Sequence, residues 1–397
     1  MEKRMPELAS HETCLGCHAC EAVCPTRSIT FQGDGFFTYP HIDIDTCIQC
    51  GKCEKACTSV RGGYEKELDD VSQTFYCAYN SDGEERAKAT SGGTGGALAK
   101  QALSKGWMVC GAAFDEGLRV KHILSDKEDI LDKIRGSKYV QSDVTGVYEQ
   151  VREAVKGDRQ VLFFGTPCQC QALVASLPMA QRASVLTCAI ICHGANSPKV
   201  WEDYVRHEEQ KVGKKLVGYN FRSKDKGWGA YRSALTFQNG TTIRRPAWND
   251  VFMTWFAHDY DTQEACFHCP YRIEKRVADL TIGDFWGVEK LFSDVPTRQG
   301  LSVLIASTDK GKDFVKDVPQ LVLTEVDAVL VVKKALKGYV EQRTEEKRQA
   351  IIQRRKTFEE EYAQHGYDFM AAKYPAQTYW GRVVHHLRFR LRQLGIG

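Results

Sequence analysis

Eight of the sixteen cysteines fall in two runs of identical spacing near the N-terminus, and thiolates at that spacing are ligands for iron–sulfur clusters. The first run is Cys14-x2-Cys17-x2-Cys20-x3-Cys24-Pro25, and the second, 33 residues later, is Cys47-x2-Cys50-x2-Cys53-x3-Cys57. Three closely spaced thiolates wrap one cubane, while the fourth starts the following helix and points away from its own loop toward the other cluster. We therefore assign Cys14, Cys17, Cys20 and Cys57 to one 4Fe-4S cluster, and Cys47, Cys50, Cys53 and Cys24 to the second. Pro25 helps to turn the chain after Cys24; the second run has Thr58 there, which leaves the ligands untouched. Zinc also accepts four thiolates, but zinc sites usually separate two CxxC pairs by a long gap, and these runs are compact.

A second constellation lies further along the chain. Cys168 stands in Gly165-Thr166-Pro167-Cys168-Gln169-Cys170, between an apolar strand and a helical run. Cys192 ends the apolar stretch Val185 to Cys192, and Cys266-Phe267-His268-Cys269-Pro270 adds a CxxC pair. Two strand-end thiols and one CxxC make four ligands, so Cys168, Cys192, Cys266 and Cys269 can hold a third 4Fe-4S cluster, with Cys170 and Cys188 as the next candidates. Cys77 and Cys110 read as small buried hydrophobes. A nucleophilic Cys168 with His193 as its base has no supporting local signature.

The elements that must position these ligands follow from composition and pattern. The 397 residues, 43% apolar and with 54 Lys+Arg against 51 Asp+Glu, suit one large or two to three modest globular domains. A net charge of +3 over this length makes nucleic acid an unsuitable default partner, and the composition excludes disorder and collagen. No window approaches 18 consecutive apolar residues, and Met1 to Ser10 lacks the apolar core of a signal peptide, so a cytoplasmic location is expected. In that reducing compartment the cysteines need a reason other than disulfides.

The expected fold class is α+β / α/β in three parts. Residues 1–60 form a dicluster ferredoxin-like domain, with Ile29, Phe31, Phe36, Phe37, Ile42 and Ile44 as strands and apolar cover, and Thr58 to Gln73 reads as a linker. Residues 74–325 form a mixed α/β domain. Its strands are expected at Trp107 to Phe114, Val161 to Phe164 and Val185 to Cys192, and its helices at Gly95 to Ser104, Asp126 to Ile134 and Val144 to Val155. Short strands at Gly218 to Phe221, Tyr231 to Phe237, Thr241 to Arg244 and Leu280 to Ile282 suggest an antiparallel addition. Residues 326–397 read as a helical extension. Its end, with Trp380, Val383, Val384, Leu387, Leu391 and Leu394 against Arg382, Arg388, Arg390 and Arg392, is a basic amphipathic stretch suited to a membrane surface, a protein partner or its own domain.

Seven ordered motifs carry a family resemblance covering about residues 10 to 310. They are Ser91-Gly92-Gly93-Thr94-Gly95-Gly96, Arg135 to Ser142, Gly165 to Gln169, Cys192-His193-Gly194, Phe221-Arg222-Ser223-Lys224 with Gly227-Trp228, Cys266 to Cys269, and Ala278 to Gly287. Together with the N-terminal cysteines they resemble the family of coenzyme F420 hydrogenase/dehydrogenase beta subunits, fused to a dicluster ferredoxin domain. The resemblance implies FAD beside a 4Fe-4S cluster, a small-molecule hydride carrier or reducible substrate of the coenzyme F420 kind, and ferredoxin or another redox protein as one-electron partner. A flavin takes two electrons as hydride and gives them up singly, so the implied activity is that of an iron–sulfur flavoprotein oxidoreductase. The alternative is a non-catalytic subunit that relays electrons to a partner enzyme.

The residues suit those roles. The Ser91, Gly92, Gly93, Thr94 loop opens a helix whose N–H groups can approach a pyrophosphate. Lys138, Tyr139, Gln141 and Ser142 offer a cation, a ring and polar donors to an isoalloxazine or ribityl chain, while Arg222, Lys224 and Arg232 flank Trp228 for an anionic, ring-bearing ligand. His193, next to Cys192, can tune the cluster or carry a proton to the flavin, and Asp284 can orient a ligand or cap its turn.

Overall fold

In the computed structural model, residues 4–33, 35–61, 72–272, 276–292, 294–295, 297–340 and 344–378 are described. The N-terminal part pairs β1 (Ile29–Gln32) with β2 (Tyr39–Ile42) antiparallel, Ile29 opposite Ile42. Its two cysteine loops turn alike and lead into short helices, α1 (Ala19–Ala22) and α2 (Lys52–Ala56). Positive φ recurs at the same offset in each: Gly16 (59°) and His18 (58°) in the first, Gln49 (55°) and Gly51 (70°) in the second. Equal spacing has thus produced equal backbones, each bent through the left-handed region tightly enough to aim three sulfurs inward. Thr58–Arg61 is a helical turn rather than the start of a linker, because Thr58 is buried against the body of the molecule.

The body is built on β3 (Thr74–Asn80), β4 (Met108–Phe114), β5 (Val120–Ser125), β6 (Val161–Gly165) and β7 (Val185–Ile190). After β8 (Leu216–Ser223), β9 (Arg232–Phe237) and β10 (Thr242–Pro246) come β11 (Leu280–Asp284), β12 (Ser302–Ala306) and β13 (Leu321–Glu325). Eight of these make one mixed sheet in the order β13-β3-β12-β11-β7-β6-β4-β5, with β4, β6, β7 and β11 parallel. β12 is antiparallel to both β11 and β3, so β3 runs in the same direction as the parallel set. β8, β9 and β10 form a separate antiparallel sheet. Leu280 to Ile282 therefore does not belong to the antiparallel addition; both of its edges are needed in the main sheet, where it joins β7 to β12.

Helices cover both faces of the large sheet, as parallel strands require. On one face α3 (Thr94–Ser104) buries Ala97, Leu98 and Ala102 with Val109, Leu162, Leu186, Leu280 and Leu304. On the other, α4 (Val147–Lys156) and α5 (Pro167–Ser176) bury Val151, Val155 and Leu173 with Val161, Phe163 and Val185. Ala19 and Ala56 of the N-terminal part join that second group, so the cluster-bearing module sits on α5. The helices start later than the apolar pattern suggested, at Ile130 and Val147, because Asp126 to Asp129 and Val144 to Gly146 form turns before them. β7 ends at Ile190, so Cys192 stands past the strand rather than at its last residue.

The described residues beyond Asp327 are mainly helical. α6 (Pro198–Val212), α7 (Val251–Ala257) and α8 (Glu345–Lys373, kinked at Gly366) enclose an aromatic core with the antiparallel sheet. Phe358, Tyr362, Tyr367 and Met370 of α8 meet Trp201, Tyr204, Phe252, Trp255 and Phe36 there. Arg355 Nε donates to the Thr262 carbonyl at 2.6 Å and the Tyr362 hydroxyl to Asp203 at 2.8 Å. The basic amphipathic stretch from Trp380 lies outside the described residues. Among the described residues no helix is long and apolar enough to cross a membrane.

Phe358 is fully buried and Phe369, on the same helix, is 45% exposed. Phe358→Ala is expected to lower stability by about 3–5 kcal/mol in denaturant titration, while Phe369→Ala changes it by less than about 1 kcal/mol.

Candidate functional site

The N-terminal cysteines sort into two groups. Cys14, Cys17, Cys20 and Cys57 line one cavity with Leu8, Leu15, His18, Phe31 and Pro40. Cys24, Cys47, Cys50 and Cys53 line another with Pro6, Pro25, Ile29 and Ile42. Each cavity takes three sulfurs from one run and the fourth from the other, because α1 and α2 carry Cys24 and Cys57 across. The sulfurs surround a space instead of converging on a point: among the described residues no three His, Cys, Asp or Glu groups are close enough to hold a single ion. That donor set fits a cubane. Main-chain N–H groups of Gly16 and Gln49 lie 3.5 and 3.4 Å from the sulfurs of Cys14 and Cys47, again at matching positions. Such bonds stabilise negative charge on a cluster.

Burial raises the Cys14 thiol to about 11 and the Cys17 thiol to about 12, with neighbouring thiols adding to the effect. Free thiols here stay protonated, so iron must replace the protons for the sulfurs to ionise.

Cys168, Cys192, Cys266 and Cys269 come together although they span about a hundred residues. Cys168 opens α5 after β6, Cys192 follows β7, and the CxxC pair occupies the turn after Glu264. Desolvation raises the Cys192 thiol to about 11; Cys269 adds to this, while Arg272 and Arg276 oppose it. Cys266 feels both Cys269 and Cys192, and Cys168 feels Cys17, Cys269 and Cys192. The Ala195 N–H lies 3.4 Å from the Cys266 sulfur. Two guanidiniums beside four sulfurs offset the charge an iron–sulfur cluster would bring. Cys170 and Cys188 sit elsewhere, fully buried near each other and Cys110 in the sheet core, and Cys77 is also core.

The carboxyl ends of β3, β6, β7 and β11 share one edge of the sheet, where open α/β folds bind ligands. The Ser91–Thr94 loop follows β3 on this edge. Gly92 packs so closely that a Cβ would lie 2.7 Å from the Ala78 carbonyl and 2.8 Å from the Ser302 nitrogen. Gly93 (φ 82°) leads into α3 with no side-chain cap. The Thr94 hydroxyl is buried and unpartnered among the described residues, and the space beside Gly96 is open. An uncapped helix start, a buried orphan hydroxyl and open space fit a bound pyrophosphate.

Beside this loop, Arg222 makes a bidentate pair with Asp284 at 2.5 and 3.2 Å, and Trp228 Nε1 donates to Asp284 at 2.8 Å. The guanidinium lies over the rings of Tyr231 and Trp286, and Trp286 stacks on Trp228 at 3.8 Å. The Asp284 side chain thus engages Arg222 and Trp228 and is not simply a turn cap. Tyr139 is 3.4 Å from Arg222 and packs on Phe256, which also packs against His193. His193 Nε2 pairs with Asp259 at 2.9 Å.

The other predicted ligand contacts engage the protein itself. Lys224 donates to the carbonyls of Arg86, Ser91 and Gln299, stapling the glycine loop, and Lys138 donates to those of Lys133, Arg135 and Gly136. Desolvation lowers both ammoniums to about 7. Gln141 Nε2 donates to Gln263, and Ser142 is hydrogen-bonded to His122 and Gln169. Arg232 pairs with Asp225.

Residues without a motif complete the site. His122 Nε2 donates to the Phe164 carbonyl at 2.9 Å, which leaves Nδ1 to accept from Ser142 at 3.0 Å; Gln169 donates to Ser142 and accepts from the Thr166 N–H, both at 2.9 Å. This network fixes the turn that presents Cys168. Arg86, fully buried, donates to the Gly300 carbonyl. Nothing in the spacing of His122 or Arg86 marks it in the sequence; only proximity to Cys266 and Cys269 could have drawn attention to Gln263 and Tyr271.

Comparison with known families gives three matches. Residues 75–149 match the N-terminal, and residues 158–329 the C-terminal, model of the coenzyme F420 hydrogenase/dehydrogenase beta subunit. Residues 13–60 match a 4Fe-4S dicluster domain. One of the subunits of the F420H2 dehydrogenase of Methanosarcina mazei is 26% identical over 239 residues, 57% of this chain and 67% of that protein. An iron-sulfur component of the CoB–CoM heterodisulfide reductase of Methanocaldococcus jannaschii is 32% identical over 98 residues, 20% of this chain and 15% of its own length. A chain of the F420-reducing NiFe hydrogenase complex from Methanosarcina barkeri aligns with TM-score 0.44 and 19% identity, covering 73% of this chain and 91% of that one.

Burial lowers the His122 imidazole from its usual 6.5 to about 4. The folded chain therefore resists protonation that the unfolded chain accepts. This contribution to stability is complete above about pH 6.5 and falls by a few kcal/mol as pH drops toward 4. His122→Asn should flatten that part of the profile of melting temperature against pH.

Proposed function

The chain belongs to the family of coenzyme F420 hydrogenase/dehydrogenase beta subunits and carries a 4Fe-4S dicluster domain; from this premise we propose an iron–sulfur flavoprotein oxidoreductase. It passes electrons between a hydride carrier of the coenzyme F420 kind, at FAD, and ferredoxin or another one-electron protein, through three 4Fe-4S clusters. The observation that carries this reading is the serial order of the cysteine groups. The Cys24/Cys47/Cys50/Cys53 group opens to solvent at Cys50, and the Cys14/Cys17/Cys20/Cys57 group lies behind it. Cys17 packs with Cys168 and Cys269, and Cys168 and Cys192 stand at the sheet edge that holds the glycine loop.

Bound FAD supplies the conversion between a two-electron hydride and single electrons. The chain's own residues do the rest. Ser91, Gly92, Gly93 and Thr94 with the start of α3 would hold the pyrophosphate, while Arg222, oriented by Asp284, and the partly buried Tyr139 ring would face the ring system. Lys224 and Lys138 brace the backbone around it. His193, paired with Asp259, carries a proton. Ile44 and Ile48, 68% and 51% exposed beside Cys50, give the partner protein an apolar landing face flanked by Asp43 and Asp45.

The second reading is a relay component without its own flavin. It is favoured by the engagement of Lys138, Gln141, Ser142 and Lys224 inside the protein. One measurement separates them: purification without oxygen, then iron, sulfide, zinc and flavin per chain. The expected result is about twelve iron and one flavin, as three cubanes require. Cys168→Ser should remove about four iron and leave the spectra of the two N-terminal clusters intact. About eight iron without flavin in the unaltered chain would establish the relay.

A further inference from the structure

The two groups of cluster ligands that meet deepest in the molecule come from separate sequence modules, yet buried hydrogen bonds tie their loops together. Gln263, three residues before Cys266 and fully buried, donates from Nε2 to the carbonyl of Cys14 at 2.8 Å. Its amide orientation is fixed, because Oε1 accepts from Gln141 Nε2 at 2.8 Å while its main-chain N–H bonds the Ala195 carbonyl. Tyr271, two residues after Cys269 and also buried, shares a 2.7 Å hydrogen bond with the hydroxyl of Thr58, the residue after Cys57. A third tie, from the Tyr148 hydroxyl of α4 to the Cys17 carbonyl at 3.0 Å, holds the same loop from the side.

These ties bracket the CxxC turn on both sides and end on residues that are, or adjoin, ligands of the neighbouring cluster. Between them the contact is apolar: Leu15, Ala265, Tyr271 and Val277 pack with Cys17, Cys168 and Cys269. An apolar contact fixes proximity without register, since area burial is non-directional, whereas paired buried hydrogen bonds admit one arrangement. Resting on the three-cluster reading above, we propose that Gln263 and Tyr271, with its partner Thr58, are positioning residues that set the separation of the Cys14/Cys17/Cys20/Cys57 and Cys168/Cys192/Cys266/Cys269 clusters. They hold the junction across which single electrons pass; no bond or proton moves with them.

The test uses the full, cluster-loaded chain and its Tyr271→Phe, Thr58→Val, Thr58→Ser and Gln263→Met variants. Iron and flavin are counted first, so that every comparison is made at equal loading. Electron paramagnetic resonance of the dithionite-reduced protein then reads the magnetic interaction between the two clusters, and rapid-freeze samples read how fast single electrons cross the junction. Tyr271→Phe and Thr58→Val should each weaken the splitting and slow the crossing several-fold, and together do little more than either alone. Thr58→Ser, which keeps the hydroxyl, should behave as the unaltered chain, and Gln263→Met should add an independent loss. Unchanged splitting and crossing in the Tyr271→Phe, Gln263→Met double variant at full iron would overturn the positioning role alone. An unaltered chain with about eight iron and no splitting would remove the third cluster, and the proposal with it.

Discussion

Cys14, Cys17 and Cys20 of the first cysteine group, and Cys168, Cys192, Cys266 and Cys269 of the third, lie where water is scarce, and a thiol there ionises only with difficulty. Desolvation is the largest cause of the rise at Cys14, Cys17 and Cys192, and the adjacent sulfurs make it steeper. Such a site is stable with protons on the sulfurs or with iron between them, and nothing intermediate is favourable. Much of the architecture answers this constraint. Left-handed turns bend each N-terminal loop inward, N–H groups are offered to sulfur, and Arg272 and Arg276 add positive charge beside the third group.

The large sheet gathers what the sequence scatters. Four strands that run the same way end on one rim, and each contributes a turn with chemistry: the glycine loop after β3, Cys168 after β6, Cys192 after β7 and Asp284 at the end of β11. Side chains then lock the turns. The His122–Ser142–Gln169 network does so for Cys168, and Lys224 does so for the glycine loop by reaching three carbonyls. Buried polar groups of this kind are costly when unmet, so meeting all of them selects one geometry. Of the buried polar atoms without a partner among the described residues, the Thr94 hydroxyl and Arg222 Nε stand on the rim, where a ligand would be the partner.

The helical C-terminal part serves the same end from a distance. α8 fills the aromatic core beside α6 and α7 and, through Arg355, holds the Thr262 carbonyl next to Gln263. The contact between the first and third cysteine groups is thus backed by the last described helix, although no cysteine lies beyond Cys269.

The two N-terminal cluster sites were legible from spacing alone, because a local motif needs only the geometry of its own loops. Most strands and helices of the body were legible too, since apolar periodicity is also local. The exceptions are instructive. Leu280 to Ile282 reads equally well as a hairpin strand or a central one, and only its pairing with both β7 and β12 decides between them. Cys168, Cys192, Cys266 and Cys269 could be nominated but not joined by spacing, because their meeting depends on the order of strands in the sheet. The roles of Lys138, Lys224, Gln141 and Ser142 turned on which carbonyl or amide lies within reach, and His122, Gln263 and Tyr271 carried no motif of their own. Ligand identity is written in the chain; the distances between ligand groups, and the buried partners that hold them, belong to the tertiary structure because they join residues far apart in sequence.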